Sequence, residues 1–382
     1  MPVGSIHIIP TSPEEESGYS SSVFNLCQGM IDEKNPTTLA TFRPVDSQFV
    51  KYFVESFSFN LCLRKIGISS EFKYWLRQQV VSQNYEIVHA HSLWRFVNLY
   101  PALANKNSAT KFVVSPRGAL SEAALNYSFI VKNIFHSLFQ ASALQSAAAF
   151  HATSEKEFLE IRAAGFDQPV AVIPNGINVP NNTAVSDNNC KQILFIGRIH
   201  PIKGINNLLM AWSTLHNIHK DWQLVIAGSD SETPGYLSEL KQLARSLNLE
   251  RCKFIGSVYG EEKANLYLRS DIVVLPSHSE NFGMVVAESL AAATPVIVSK
   301  GAPWETIIHK DAGWSIDIGA EPLEIALNHA LSLPINELKR MGCNGRDWMI
   351  EDFSWKNVAI NMGCFYDWLV NGGDMPSFVR LD

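Results

Sequence analysis

The stretch DIVVLPSHSENFGMVVAESLAAATPVIVS, Asp271 to Ser299, decides the fold. DIVVLPS is a β-branched apolar run of the kind that a parallel strand buried on both faces requires. HSENFG is polar and ends in a glycine, MVVAESLAAA reads as a helix, and TPVIVS reads as the next strand. Strand, polar loop, helix and strand make a βαβ unit, with the loop at the carboxyl end of its strand. Open α/β sheets bind their ligands at that edge. The unit holds two carboxylates, Glu280 in the loop and Glu288 about a turn and a half into the helix. At 1.5 Å of rise per residue they stand roughly 8–12 Å apart. That spacing suits two parts of one long ligand better than a single reacting bond.

The same alternation extends on both sides. QILFIGR, WQLVIAGS and CKFIGSV precede the unit as strands, separated by helical stretches. Strands alternating with helices specify a doubly wound parallel sheet. In the first half SIHIIP, YEIVHAHSLW, TKFVVSPRGAL, AAFHATS and PVAVIPNGI read the same way. NVPNNTAVSDNNC, Asn178 to Cys190, is a linker by composition. The chain therefore reads as two Rossmann-like α/β domains, 1–183 and 184–354, with the cleft between them as the default binding site. A helical, aromatic tail, 355–382, is expected to cross back to the first domain. Phe129 to Gln140 lies in a long helical region with apolar residues on more than one stripe. It fits either a core helix or a face offered to a lipid surface.

Composition narrows the partners. The 382 residues are 46% hydrophobic and 18% charged, which describes a globular chain with a large core and a length of two to three domains. The net charge of −6 falls wholly after residue 180, and no basic run occurs, which argues against nucleic acid. The six cysteines are scattered without a CxxC pair, as reduced cytosolic thiols would be. The N-terminus runs directly into a strand and reads as lacking a signal peptide. No run approaches the ~18 apolar residues of a spanning helix. A cytoplasmic protein, at most peripheral to a membrane, is expected.

Chemistry concentrates in a second motif, FIGRIHPIKG, Phe195 to Gly204. It follows a strand and sets Arg198 and Lys203 at the mouth of a βα loop, beside the unpaired N–H groups of a helix start. Two cations there suit a diphosphate. No GxGxxG order supports a nicotinamide dinucleotide, and no DxD triplet offers Mg²⁺ a seat, so no metal is called for. In HAH, His89 and His91 share one strand face and Ala90 takes the other. His89 reads as a structural core residue and His91 as a candidate functional one. Arg117 in SPRG fits an anion contact or an ordinary turn residue. Gly18 fits a turn or a backbone approach to an anion. Asn175 and Gly176 read as a turn into the linker.

GRIHPIKG followed by SENFGMVVAE resembles the signature of retaining, nucleotide-sugar-dependent glycosyltransferases of family 4, which have the GT-B fold. IVHAHSLW, VVSPRGAL, FHATSEKE and VIPNGI resemble members that act in bacterial surface-polysaccharide assembly. The resemblance spans essentially the whole chain. It implies that Arg198 and Lys203 neutralise the donor diphosphate and that Glu288 binds the ribose hydroxyls. Glu280 would lie by the donor sugar, with the backbone of Asn281, Phe282 and Gly283 gripping its hydroxyls. It further implies a base contact through the backbone near Val258 and a donor-sugar contact at His91. The Gly18 loop would lie near the phosphates, although the family's glycine pair is here Ser17-Gly18. Arg117 falls on the acceptor side. The implied co-substrate is a UDP-, GDP- or ADP-linked sugar, and the implied acceptor a saccharide carried on polyprenyl diphosphate at the inner membrane face. A nucleotide-sugar epimerase of the same architecture is the alternative.

Overall fold

The structure is a computed structural model describing residues 2–11, 18–42, 52–60, 63, 66–104, 108–121, 124, 140–180 and 190–382. In the first half the strands are β1 (Ser5–Ile8), β2 (Thr37–Thr41), β3 (Val54–Ser56), β4 (Ile87–His91), β5 (Lys111–Ser115), β6 (Ala149–Ala152) and β7 (Val170–Val172). They are followed by β8 (Lys191–Ile196), β9 (Trp222–Ala227), β10 (Cys252–Gly256), β11 (Ile272–Leu275), β12 (Val296–Ser299), β13 (Gly313–Ile316) and β14 (Val379–Arg380). They form an eight-stranded sheet, β14-β7-β6-β5-β4-β1-β2-β3, and a six-stranded one, β10-β9-β8-β11-β12-β13. All pairings are parallel except that of β14 with β7.

The chain divides into two compact units, Met1–Gly176 with Trp355–Asp382, and Ile177–Ser354. The division thus falls seven residues before the junction at 183/184 expected from composition. Hydrogen bonding explains the shift. The Ile177 amide donates to the Phe353 carbonyl, and Arg346 donates to the Pro180 carbonyl. Residues 177–180 are therefore tied to the second unit. Residues 181–189, the middle of the linker, lie outside the described residues, as does the whole of the apolar stretch from 125 to 139.

In the second unit the period-2 alternation divides cleanly. Ile193, Phe195, Leu224, Ile226, Ile272 and Val274 face the helices Ile205–Leu215, Tyr236–Ser246 and Ala320–Ser332. Leu194, Ile196, Val225, Val273, Leu275 and Val298 face the helices Met284–Ala291 and Ile335–Asp352. Both faces are covered, which is why the strands read as continuous apolar runs.

In the first unit one sheet face packs on the helices Gly18–Asp32 and Trp355–Asn371, through Leu26, Met30, Ile87, Val113, Val358, Met362 and Phe365. The tail seats closely. A Cβ on Gly176 would overlap the Trp355 indole, and one on Gly29 would stand 3.1 Å from the Trp355 carbonyl oxygen. The glycine of IPNGI, expected in a turn, is therefore a packing residue.

A candidate active site at the carboxyl ends of the strands

In the second unit the loop after β8 carries Arg198 and closes with a short 3₁₀ turn, Pro201–Lys203. Gly204 then takes the left-handed conformation (φ 66°) and opens the helix Ile205–Leu215 without a side-chain cap. Any Cβ there would overlap the Pro276 carbonyl oxygen. The glycine thus lets the β8 loop lie directly on the end of β11, and the His278 amide donates to the Ile202 carbonyl at 2.7 Å. That contact brings the two motifs of the sequence together.

Lys203 Nζ lies 2.5 Å from Glu280 Oε1, each side chain 12% exposed. Ser277 Oγ donates to the same carboxylate oxygen at 2.7 Å, and the Glu280 amide donates to the Gly301 carbonyl at 2.9 Å. Phe282 is buried against Trp304, whose indole N–H donates to the Phe282 carbonyl at 2.5 Å. Gly283 is again left-handed (φ 81°) and starts the helix Met284–Ala291 without a side-chain cap. Two helix starts without side-chain caps thus lie beside the Lys203–Glu280 pair, an arrangement that favours anions.

Glu288 belongs to a separate cluster. Its Oε1 accepts from Lys263 Nζ and its Oε2 from the Tyr267 hydroxyl, each at 2.7 Å. Lys263 and Tyr267 lie four residues apart on the helix Gly260–Leu268 and so share a face. Burial, and then the Glu288 charge, push the Tyr267 phenol well above its ordinary range, so it is a hydrogen-bond donor at every physiological pH. Val258, in the loop before that helix, is buried in the core. The sequence reading gave the cations to one part of a ligand and the carboxylates to others. Here each is already paired: Lys203 with Glu280, Arg198 with Glu232 and Glu288 with Lys263. Glu232, Lys263, Tyr267, Ser277 and Trp304 carry no motif signal. Only the helical i, i+4 spacing of Lys263 and Tyr267 offered a hint.

In the first unit His91 ends β4 and Arg117 lies just beyond β5. Arg117 is left-handed (φ 56°), as are Ser92 (φ 67°) and Trp94 (φ 71°). Three non-glycine residues in that region at neighbouring strand ends store strain of the kind found at functional edges. Arg117 Nε lies 3.3 Å from His91 Nδ1, and its NH1 donates to Asn175 Oδ1 at 2.5 Å. Ser22 Oγ donates to the same Asn175 oxygen at 2.6 Å. Asn175, expected only in a turn, is thus part of the cluster. His91, expected to contact the donor sugar, is fully buried here, and its ring nitrogens are engaged by Arg117 and by His7. His91 presents Arg117. Gly18 is the first residue of its helix, and the preceding loop, 12–17, lies outside the described residues.

Two family models match. The model for glycosyl transferases group 1 matches residues 182–348, and that for glycosyltransferase family 4 matches residues 17–180. The chain belongs to the family 4 glycosyltransferases. An uncharacterized glycosyltransferase of Methanocaldococcus jannaschii is 34% identical over 186 residues, 48% of this chain and 46% of that protein. The alignments span about half the length of the first curated relatives, 46% and 50%. Among solved structures, sucrose-phosphate synthase from Thermosynechococcus elongatus superposes with a TM-score of 0.73 at 18% identity, over 97% of this chain and 100% of that one. Anabaena HepE in complex with UDP and glucose gives 0.74 at 16% identity, over 95% and 99%. The fold is therefore that of the GT-B glycosyltransferases, two parallel-sheet α/β domains. Among the described residues no helix is long and apolar enough to cross a membrane.

Proposed function

We propose that the chain is a retaining, nucleotide-sugar-dependent glycosyltransferase that moves a hexose to an acceptor hydroxyl. The observation that carries this reading is the withdrawn Lys203–Glu280 pair between two uncapped helix starts. A donor diphosphate arriving there finds Lys203, Arg198 and backbone N–H groups, and charge-assisted hydrogen bonds of about 1.5–3 kcal/mol each reward the exchange of partners. Glu280, given up by Lys203, becomes a hydrogen-bond acceptor for donor-sugar hydroxyls, beside the backbone of Asn281 to Gly283. Glu288, oriented by Lys263 and Tyr267, takes the ribose hydroxyls, and the loop at Val258 flanks the base.

In the reaction the acceptor oxygen bonds to the anomeric carbon on the face the leaving group departs from. The bond from that carbon to the phosphate oxygen breaks, and the acceptor proton passes to the departing diphosphate. Arg198 and Lys203 stabilise the charge that develops, so the reaction calls for no metal. HepE's complexes with UDP and UDP-glucose support a nucleoside diphosphate donor and put UDP first among UDP, GDP and ADP. We assign the acceptor to a polyprenyl-diphosphate-linked saccharide presented at the inner face of the cytoplasmic membrane, with Arg117 on the acceptor side.

The test is a thermal-shift screen of UDP-, GDP- and ADP-sugars, since a ligand that binds the folded state raises its melting temperature by mass action. NMR of the product from the stabilising donor, with and without EDTA, then follows. An α-linked donor giving an α-linked product supports the reading. Inversion, a requirement for metal, or conversion of the donor alone into its epimer defeats it.

A further inference from the structure

One face of the first sheet buries a polar file that the proposed chemistry leaves unused. Register creates it: His7 on β1 stands opposite His89 on β4, His91 follows two residues on, and His151 comes from β6. Tyr366 reaches the same file from the helix Trp355–Asn371. His7, His89, His91 and Tyr366 are completely buried, and His151 nearly so. Burial keeps each imidazole neutral, with His7 and His151 pulled down to about 3 and His89 and His91 well below their ordinary value.

The hydrogen bonds of this file have one direction. Arg117 has only donors, so His91 Nδ1 accepts from it at 3.2–3.3 Å. Neutral His91 must then carry its proton on Nε2 and donate to His7 Nδ1 at 3.0 Å. His7 in turn donates from Nε2 to the Tyr366 hydroxyl at 3.2 Å, and that hydroxyl donates to His89 Nδ1 at 2.6 Å. His151 Nε2 lies 2.9 Å from the Ile173 carbonyl, which can only accept, so its proton is also on Nε2. One cation at the sheet edge thus dictates three tautomers, those of His91, His7 and His89, and a backbone carbonyl sets the fourth.

The nitrogens of His7, His89 and His91 also lie within 4.8 Å of one another, the number and kind of ligands that a zinc ion uses. The group holds no carboxylate or thiolate, and the Arg117 guanidinium is bonded to one of the three imidazoles. A dication beside that cation, with nothing anionic in the ligand group, carries a heavy desolvation cost.

We propose that His7 and Tyr366 are positioning residues: through His91 they hold the Arg117 guanidinium at the carboxyl edge of the first sheet for the acceptor. The anchor at one end is the helix Trp355–Asn371, so the chain's last segment sets the geometry of a residue 249 positions earlier, by the residue numbers of Tyr366 and Arg117. The inference rests on the acceptor-side reading of Arg117 given above.

Two measurements on the full chain test it. ¹⁵N NMR of labelled histidines at pH 7 should show His7, His89, His91 and His151 all neutral and protonated on Nε2. A His91 protonated on Nδ1, or tight uptake of one Zn²⁺ by the file, would overturn the relay. In turnover, Tyr366→Phe should lower acceptor kcat/KM about tenfold while leaving donor KM nearly unchanged and the chain folded at the assay temperature. Arg117→Lys should lower it at least as much, and the double variant should be no worse than Arg117→Lys alone, because the two act in series. Losses that add, or an unchanged Tyr366→Phe, sink the positioning role. The expected tautomers in a chain inactive with every acceptor would refute the transferase reading instead, because the NMR result does not depend on it.

Discussion

Lys203 and Glu280 are 77 residues apart, yet their side chains meet at 2.5 Å and are largely withdrawn from water. The left-handed Gly204 makes this possible, by laying the β8 loop on the end of β11. A pair so placed is held by mutual attraction in the free protein, and a diphosphate competes for its cationic half. Lys203→Met should therefore act twice. It leaves a nearly buried carboxylate short of its counter-charge, at a cost of about 1–3 kcal/mol in urea unfolding, and it should lower transfer by at least about tenfold. Adding Glu280→Gln should restore much of the stability and none of the activity. A double variant that regains turnover would show that the pair is structural only.

Tyr267 offers a finer probe. Its hydroxyl and Lys263 each hold one oxygen of Glu288. Tyr267→Phe removes one of these contacts and keeps the ring that packs in the core. If Glu288 binds the ribose in ground state and transition state alike, donor KM should rise several-fold, about 1 kcal/mol, with kcat unchanged. A fall in kcat at constant KM would move Glu288 from binding to the chemical step.

The βαβ unit from Asp271 to Ser299 was legible because both faces of its strands are buried and each turn of chain direction carries a glycine or proline. β13, GWSI, was not, being only partly buried and without a β-branched run, and two-residue β14 has no periodicity at all. Of the candidate site, the residue types of Arg198, Lys203, Glu280 and Glu288 could be read, but their partners could not. Spacing along one strand or helix gives a distance, as for His89 and His91. Spacing across strands gives none until the strand order is known, and His89 with Tyr366, 277 positions apart, is the extreme case. The partners of His91 were hidden for the same reason: strand alternation showed which way it points, but not that His7 and Arg117 lie on either side.

Gly301 links the Glu280 loop to β12. Its carbonyl accepts from the Glu280 amide, and an added Cβ would overlap the Ser277 carbonyl oxygen with backbone on both sides. Gly301→Ala must displace the loop that carries Ser277 and Glu280. Activity should fall by on the order of 10²-fold, the cost expected of a misplacement near 1 Å, while the far-UV circular dichroism stays that of the parent. Full activity in this variant would mean that the loop position does not matter to turnover.

The buried imidazoles also set a pH dependence. In the unfolded chain each binds a proton below about 6.5, whereas in the folded chain His7 and His151 resist until about 3, and His89 and His91 lie well below 6.5. Arg117 faces the file as a fixed positive charge and pushes all four the same way. The unfolded state thus holds more protons between pH 6.5 and 3, so the stability is complete above 6.5 and is lost as pH falls through that window. Glu160, raised by burial to about 7, opposes this with one proton. Four depressed imidazoles outweigh one raised carboxyl, so stability falls as pH drops from 6.5 towards 5. Urea unfolding at pH 7.5, 6 and 5 measures this slope, and His151→Leu should make it shallower by one proton. A flat profile would mean that the file is already protonated in the folded chain, and the one-way order of its hydrogen bonds could not then hold.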